Sequence, residues 1–267
     1  MMKNYLLIVE GSHDIAFLTK VLSTMGYKEI KSIKHLPPLM AKKLIPKSFP
    51  FIKDKLNIFN IIPWFCKKGD STIAIINGNG ETHILNKLDD ILSEFDITEI
   101  KQVNKILIFA DGDLKNRNEK INSILDIDFV KKDFEFLDKK DLSKENPCIN
   151  IKNRFNIPVD YFIFPDNNLK GRLEDVILEL INLNDKDLLN DVTKFIENLD
   201  SEYKVEWSQD NSKEEKSKIG IIGNVLIPGC SNVTLLHNKE IKWISEENRS
   251  KVKSLDQLYL FLNKNLQ

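Results

Sequence analysis

Cysteine is scarce in this chain: Cys66, Cys148 and Cys230 are the only three in 267 residues, far apart and without CxxC spacing. Neither a disulfide framework nor a cysteine-built zinc site is written here. His13, His35, His83 and His237 also stand singly, which excludes a centre made of clustered imidazoles. No apolar run approaches the roughly 18 residues of a membrane span. The short run Tyr5–Val9 is cut by Glu10 and falls short of the apolar core of a signal peptide. A cytoplasmic protein with no membrane contact is expected. Neither sign of charge dominates: the net charge is −1, which argues against a uniformly basic coat for nucleic acid. One local departure hides in that balance, since residues 31–70 hold nine lysines against two aspartates.

At 42% hydrophobic the chain can bury a full core. Tyr5–Val9 reads as a buried strand, and Ile15, Leu18, Val21, Leu22 and Met25 then recur at helical spacing up to Gly26, a natural stop. The alternation returns in "STIAII" with 82–95, in "KILIFA" with the polar segment behind it, and in "VDYFIF" with "GRLEDVILELI". Four apolar strands, each followed by a helical pattern, predict an α/β layer around a mostly parallel sheet of about four strands. Residues 27–70, with five prolines, and the Lys- and Asp-rich 128–158 interrupt the pattern and should decorate the rim as loops and short elements. The expected division is an α/β domain over 1–183 carrying a basic insertion at 27–70, and a mostly helical extension over 184–267. Within the extension, 208–218 reads as a charged break ahead of the apolar "IGIIGNVLIPG".

Glu10 stands at the carboxyl end of the first predicted strand, and Asp111 and Asp113 follow the third with one glycine between them. A buried carboxylate is costly unless paired, hydrogen-bonded or bound to a metal. In a parallel sheet the carboxyl ends of the strands share one crevice, so the three groups should meet and raise one another's pKa unless a cation is present. Hard oxygen ligands without nearby Cys or His suit magnesium or manganese.

A strand ending in Glu-Gly, a later strand ending in Asp-x-Asp and an α/β frame between them resemble the TOPRIM domain of primases, topoisomerases, ribosomal-RNA maturases and overcoming-lysogenization-defect nucleases. "VEGSHD" is similar to the EGxxD form of the nuclease branch, and "FPDNNLKGRLEDVILELI" and "SLDQLYLFL" resemble small stand-alone TOPRIM-like proteins of uncharacterised function. The resemblance spans roughly residues 4–182. It implies a Rossmann-like sheet, a metal-dependent nuclease (phosphodiesterase) activity on DNA or RNA, and a magnesium or manganese cofactor. It also implies a role for each matching residue: Glu10 as general acid or base, Asp111 and Asp113 as the metal pair, Asp14 as a further metal carboxylate. Glu174 and Asp175 are the candidates to close the site.

Each of these residues also has an ordinary use. Glu10, Asp14, Glu174 and Asp175 suit the first turns of helices, and Asp111 and Asp113 suit a turn. His13 is expected to face solvent, and "INGNGE" (76–81) is a plain turn rather than a phosphate cradle, lacking GxGxxG and a Walker lysine. Lys115, Lys170 and Arg172 lie near the predicted strand ends, where phosphate would bind. In the basic insertion, Lys42, Lys43, Lys53 and Lys55 interleave with Phe49, Phe51, Phe59, Trp64 and Phe65, in the manner of a surface for nucleic acid. The competing expectation is a regulatory module that kept the acidic crevice for a metal-bound nucleotide or a protein partner, or acts as a homo-oligomer. A haloacid-dehalogenase phosphatase would need Asp-x-Asp on its first strand followed by Gly-Thr or Gly-Val; here it follows the third strand and precedes Leu114.

Overall fold

Strands that read as unbroken apolar runs need cover on both faces, and they have it. The computed structural model describes residues 2–46, 51–52, 55–56, 62–126, 142, 144–151, 155–204 and 211–267. Its main sheet contains β1 (Lys3–Val9), β2 (Lys28–Glu29), β3 (Trp64–Lys68), β4 (Ser71–Asn77), β5 (Val103–Asp111), β6 (Cys148–Ile151) and β7 (Phe155–Phe164), in the order β2-β3-β4-β1-β5-β7-β6. The four expected strands are its parallel centre, with β4 and β5 flanking β1 and β7 beside β5. The sheet has seven strands rather than about four. The additional strands are β2 and β3, from the basic insertion, and β6, from the second insertion; all three pair antiparallel at the edges. A separate pair joins Phe51–Ile52 to Lys55–Leu56.

Side chains alternate across the sheet with period two. Tyr5, Leu7, Val9, Leu107, Phe109, Phe162 and Phe164 face one apolar layer, while Leu6, Ile8, Ile106, Ile108, Tyr161 and Ile163 face the other. The second layer is closed by α2 (Pro38–Lys43), α3 (Ile84–Ser93), α4 (Ile97–Ile100) and α5 (Arg117–Asp126). The first is closed by α1 (Ser12–Thr24), α6 (Leu173–Asn184) and the whole C-terminal group. That group comprises α7 (Lys186–Glu197), α8 (Asn211–Leu226), α9 (Asn232–His237), α10 (Glu246–Arg249) and α11 (Lys253–Asn265). Ile219, Leu235, Leu255 and Leu262 lie in the same apolar cluster as Leu7 and Phe109, and Phe261 meets Phe109 edge-on at 5.9 Å. The extension is therefore a covering layer of the sheet.

Of the charged break expected at 208–218, residues 211–218 instead form the first half of α8, which joins them to the apolar stretch, while 208–210 lie outside the described residues. Its charges are used locally, as in the Glu214–Lys218 pair at 2.7 Å. No helix among the described residues is long and apolar enough to cross a membrane.

Candidate active site

Two helices point their N-termini at the carboxyl ends of the central strands. α1 follows β1 after Glu10 and Gly11, and α6 follows β7 after an eight-residue loop, so the partial positive charge of both macrodipoles lies where the carboxylates gather. Each helix uses its third residue to close its own start. Asp14 Oδ2 accepts from the Gly11 N–H at 2.9 Å, and Asp175 Oδ2 accepts from the Arg172 N–H at 2.7 Å. The ordinary capping use of both aspartates is thus realised. Glycine is required at 171, where φ is +143° and a Cβ would stand 2.5 Å from Asp175 Oδ2. It is required at 112 for close approach, since a Cβ there would lie 2.8 Å from the Phe164 carbonyl oxygen.

Asp111 lies within the electrostatic field of Glu10, Asp14 and Glu174. Glu10 Oε1 accepts from the Asp111 N–H at 3.0 Å, and Asp111 Oδ1 accepts from the Leu173 N–H at 2.8 Å. Burial pushes the Glu10 carboxyl up to about 7, with the Asp111 N–H opposing and the Asp14 charge adding to the rise. Burial likewise lifts Asp14 to about 6, against the pull of His13. Asp111 is held well above the ordinary carboxylate range by burial and then by the charges of Asp14, Glu10 and Glu174. Glu174, only 2% exposed, moves the other way: burial works against its ionisation, but His13 and Lys216 outweigh it. Its Oε1 lies 3.4 Å from His13 Nδ1 and 3.9 Å from Lys216 Nζ, on α8. Its Oε2 is buried without a hydrogen-bond partner, as is His13 Nε2. His13 therefore does not face solvent as expected: it bridges the first turns of α1 and α6.

Asp113 stands apart from this group. It adopts φ +54° and its N–H donates to the Gly171 carbonyl at 2.8 Å, tying the loop after β5 to the loop before α6. Oδ2 accepts from Lys120 Nζ at 2.7 Å and Oδ1 from Arg172 Nε at 2.6 Å. Burial disfavours its charge, yet these two cations hold its carboxyl below the usual range. The expected Asp111–Asp113 pair is thus divided, one carboxylate facing other carboxylates and the other locked between cations. Among the described residues, no three His, Cys, Asp or Glu side chains are gathered closely enough to hold a metal ion.

The cationic candidates are scattered. Arg172 serves Asp113, and its Nη1 lies 4.0 Å from Glu215 Oε2. Lys115 donates to Ser123 Oγ at 2.6 Å, and Lys170 is exposed on the loop before α6. Lys42 and Lys43 both pair with Glu99, at 2.5 and 3.0 Å, so they are already neutralised on the far face of the sheet. Lys53 and the side chain of Lys55 lie outside the described residues, as do Phe49, Phe59 and the side chain of Phe51. Trp64 and Phe65 sit in β3, with Phe65 in the core.

The profile of a family described as "Protein of unknown function (DUF3226)" matches residues 4–260. The chain belongs to this family. A solved structure, the hypothetical protein PH0156 from Pyrococcus horikoshii OT3, is similar at a TM-score of 0.49 and 20% identity, covering 99% of this chain and 95% of that one. No curated protein matches at a significant level.

In this DUF3226 chain three parts of the site escaped sequence reasoning. Lys120 is 1% exposed and joins Asp113 to Glu81, 3.1 Å away. Burial would lower its pKa, but the two carboxylates raise it, so the ammonium stays charged. Its signal was a lysine one turn before buried Ile124 on α5. Glu81 closes the turn 76–81, which is seated on β1 by the Gly78 N–H bond to the Val9 carbonyl at 2.7 Å. Glu215 and Lys216 reach the crevice from α8, and nothing local in the sequence indicated that.

Proposed function

We propose that this chain is a divalent-cation-dependent enzyme of the TOPRIM type that cleaves phosphodiester bonds in nucleic acid. The observation that supports this reading is the buried carboxylate group of Glu10, Asp14 and Asp111, each held above its ordinary pKa despite a backbone N–H bond to each. Such a group is costly to maintain unless a cation or a transferred proton uses it. Magnesium or manganese fits the donor set: all oxygens, including a buried Glu174 Oε2 with no partner. To hold an ion, Asp111, Glu10 and Glu174 would turn toward a common point, with Asp14 next to them.

Bound there, the ion would polarise a phosphoryl oxygen and neutralise charge developing on it. Glu10, with a carboxyl near 7, is suited to take a proton from an attacking oxygen or return one to a leaving oxygen at neutral pH. Asp113 keeps Lys120 and Arg172 in place, and Lys216 at the mouth offers positive charge to a phosphate.

The test is cleavage of end-labelled single- and double-stranded DNA and RNA with magnesium or manganese. Glu10→Gln and Asp111→Asn should each lower the rate by about a hundredfold or more. The second reading, a non-catalytic module that binds a metal-bound nucleotide, is favoured by the locking of Asp113 and the neutralisation of Lys42 and Lys43. Metal-dependent nucleotide binding with no cleavage of any substrate would decide for it.

A further inference from the structure

A cavity of about 530 Å³ lies between β5, β7, the loop before β6 and the end of α11, and its lining includes Lys105, Arg117, Pro158, Asp160 and Lys264. None of its lining residues belongs to the carboxylate crevice. Lys105 rises from the middle of the sheet and Lys264 from the last turn of the last helix. Neither has an ion-pair or hydrogen-bond partner among the described residues. Two carboxylates, Glu145 and Asp160, line it as well; Asp160 Oδ1 accepts from the Tyr161 N–H at 2.9 Å and faces Arg117 Nη2 at 3.5 Å. Burial lowers the Lys105 pKa, with the Asp160 charge opposing and the Lys264 charge adding to the fall.

A lysine in the last turn of a helix is stabilised by the macrodipole, which accounts for Lys264 but not for Lys105. With Arg117, the two ammonium groups set three cations against two carboxylates in the lining. An anion between Lys105 and Lys264 would accept a charge-assisted hydrogen bond from each. The volume falls in the range of small-molecule sites and is far more than a bare anion needs. Pro147 and Pro158 supply apolar wall for an organic body.

We propose that this cavity binds a small phosphomonoester, with its dianion seated between Lys105 and Lys264 and its organic part against the proline-lined wall. Arg117 completes the cationic rim, and through its Nε bond to Asn167 Oδ1 at 3.1 Å it also touches the loop that leads to Arg172 and Glu174.

Calorimetric titration of the full chain with adenosine 5′-monophosphate and with inorganic phosphate, in chelator so that the crevice recruits no metal, tests the site. Saturable binding of the nucleotide is expected. Lys105→Gln and Lys264→Gln should each weaken it about tenfold, the affinity carried by one charge-assisted hydrogen bond. Lys264→Arg, which keeps the charge, and Lys42→Gln, remote from the cavity, should leave it unchanged. In the absence of ligand Lys264→Gln should melt close to the wild type, because the lysine has no ion-pair partner to lose and the macrodipole contribution at an exposed helix end is small. No binding of either probe up to about 10 mM, or equal affinity in all variants, overturns the site. Binding of inorganic phosphate without the nucleotide overturns the phosphomonoester assignment. A large drop in melting temperature of ligand-free Lys264→Gln shows that the lysine serves the fold, and overturns it as well.

Discussion

Raising the pH from 4 to 8 in the presence of a chelator should destabilise this protein, and the structure sets the size of the effect. Glu10 titrates at 4.5 when unperturbed and at about 7 in the fold. A carboxyl whose folded pKa is raised is neutral in both states below about 4.5, where the fold keeps its full stability. Above that pH the unfolded chain ionises freely while the folded chain must hold the proton or expose a charge to its neighbours. Stability therefore falls through the window 4.5 to 7 and levels off above it. For Glu10 alone the loss is about 3 kcal/mol. Asp14, lifted from 3.8 to about 6, acts in the same direction, but part of its rise is the same mutual repulsion, so the two losses do not add in full. A loss of about 3 kcal/mol is a large part of an ordinary folding free energy, and corresponds to a fall of about 1 M in the urea midpoint. Asp113 and Glu174, held below their ordinary values, lose their contribution only in more acid solution and leave this window clear. Urea denaturation at pH 5, 6, 7 and 8 is the assay. Glu10→Gln should reduce the slope, leaving the part owed to Asp14 and Asp111, both also raised, and saturating magnesium should restore stability at pH 8 in the wild type. A urea midpoint that is flat or rises from pH 5 to 8 would refute the reasoning, as would an unchanged slope in Glu10→Gln.

Three further outcomes are expected. Lys120→Met should cost about 3 kcal/mol by urea denaturation, since it strands part of a buried ion-pair cluster, and Lys120→Met with Asp113→Asn should recover a measurable part of that loss. Asp111→Asn should raise chelator-treated stability at pH 8 and abolish any cation-induced rise in Tm; Asp175→Ala should cost about 1 kcal/mol as a lost helix closure and leave the cation response intact. Gly171→Ala should cost about 1–3 kcal/mol, because it places a Cβ 2.5 Å from Asp175 Oδ2 at a φ of +143°; a wild-type melting temperature would show that the loop relaxes freely.

The parallel centre of the sheet was legible because its strands are covered on both faces, which forces apolar runs such as "ILIFA" that no other context favours. The edges were not. β2, at the edge, is the exposed dipeptide Lys28–Glu29, and β3 beside it ends in two exposed lysines; charge of this kind guards a sheet edge against further pairing, and it masks the short strands that carry it. The same limit applies to the site. Glu10 and Asp111 could be placed because strand ends in a parallel sheet share one crevice, whatever the loops do. Asp113, two residues further on, could not, because its orientation depends on a φ of +54° and on Lys120 and Arg172, seven and fifty-nine residues away. Motif spacing records where the backbone delivers a carboxylate. Whether that carboxylate faces an ion or a lysine is decided by which cation is buried beside it, and a lysine that is 1% exposed is written in the sequence like any other. The division of Asp111 from Asp113 is thus a tertiary property. It also gives the two different expected responses to a metal: the carboxylate without a cation would gain stability from an ion, whereas the one already paired would first have to release Lys120 and Arg172. A metal-induced shift that depends on Asp111 and survives Asp113→Asn is the signature of this arrangement, and a shift lost equally in both variants would mean that the ion displaces the two cations on binding.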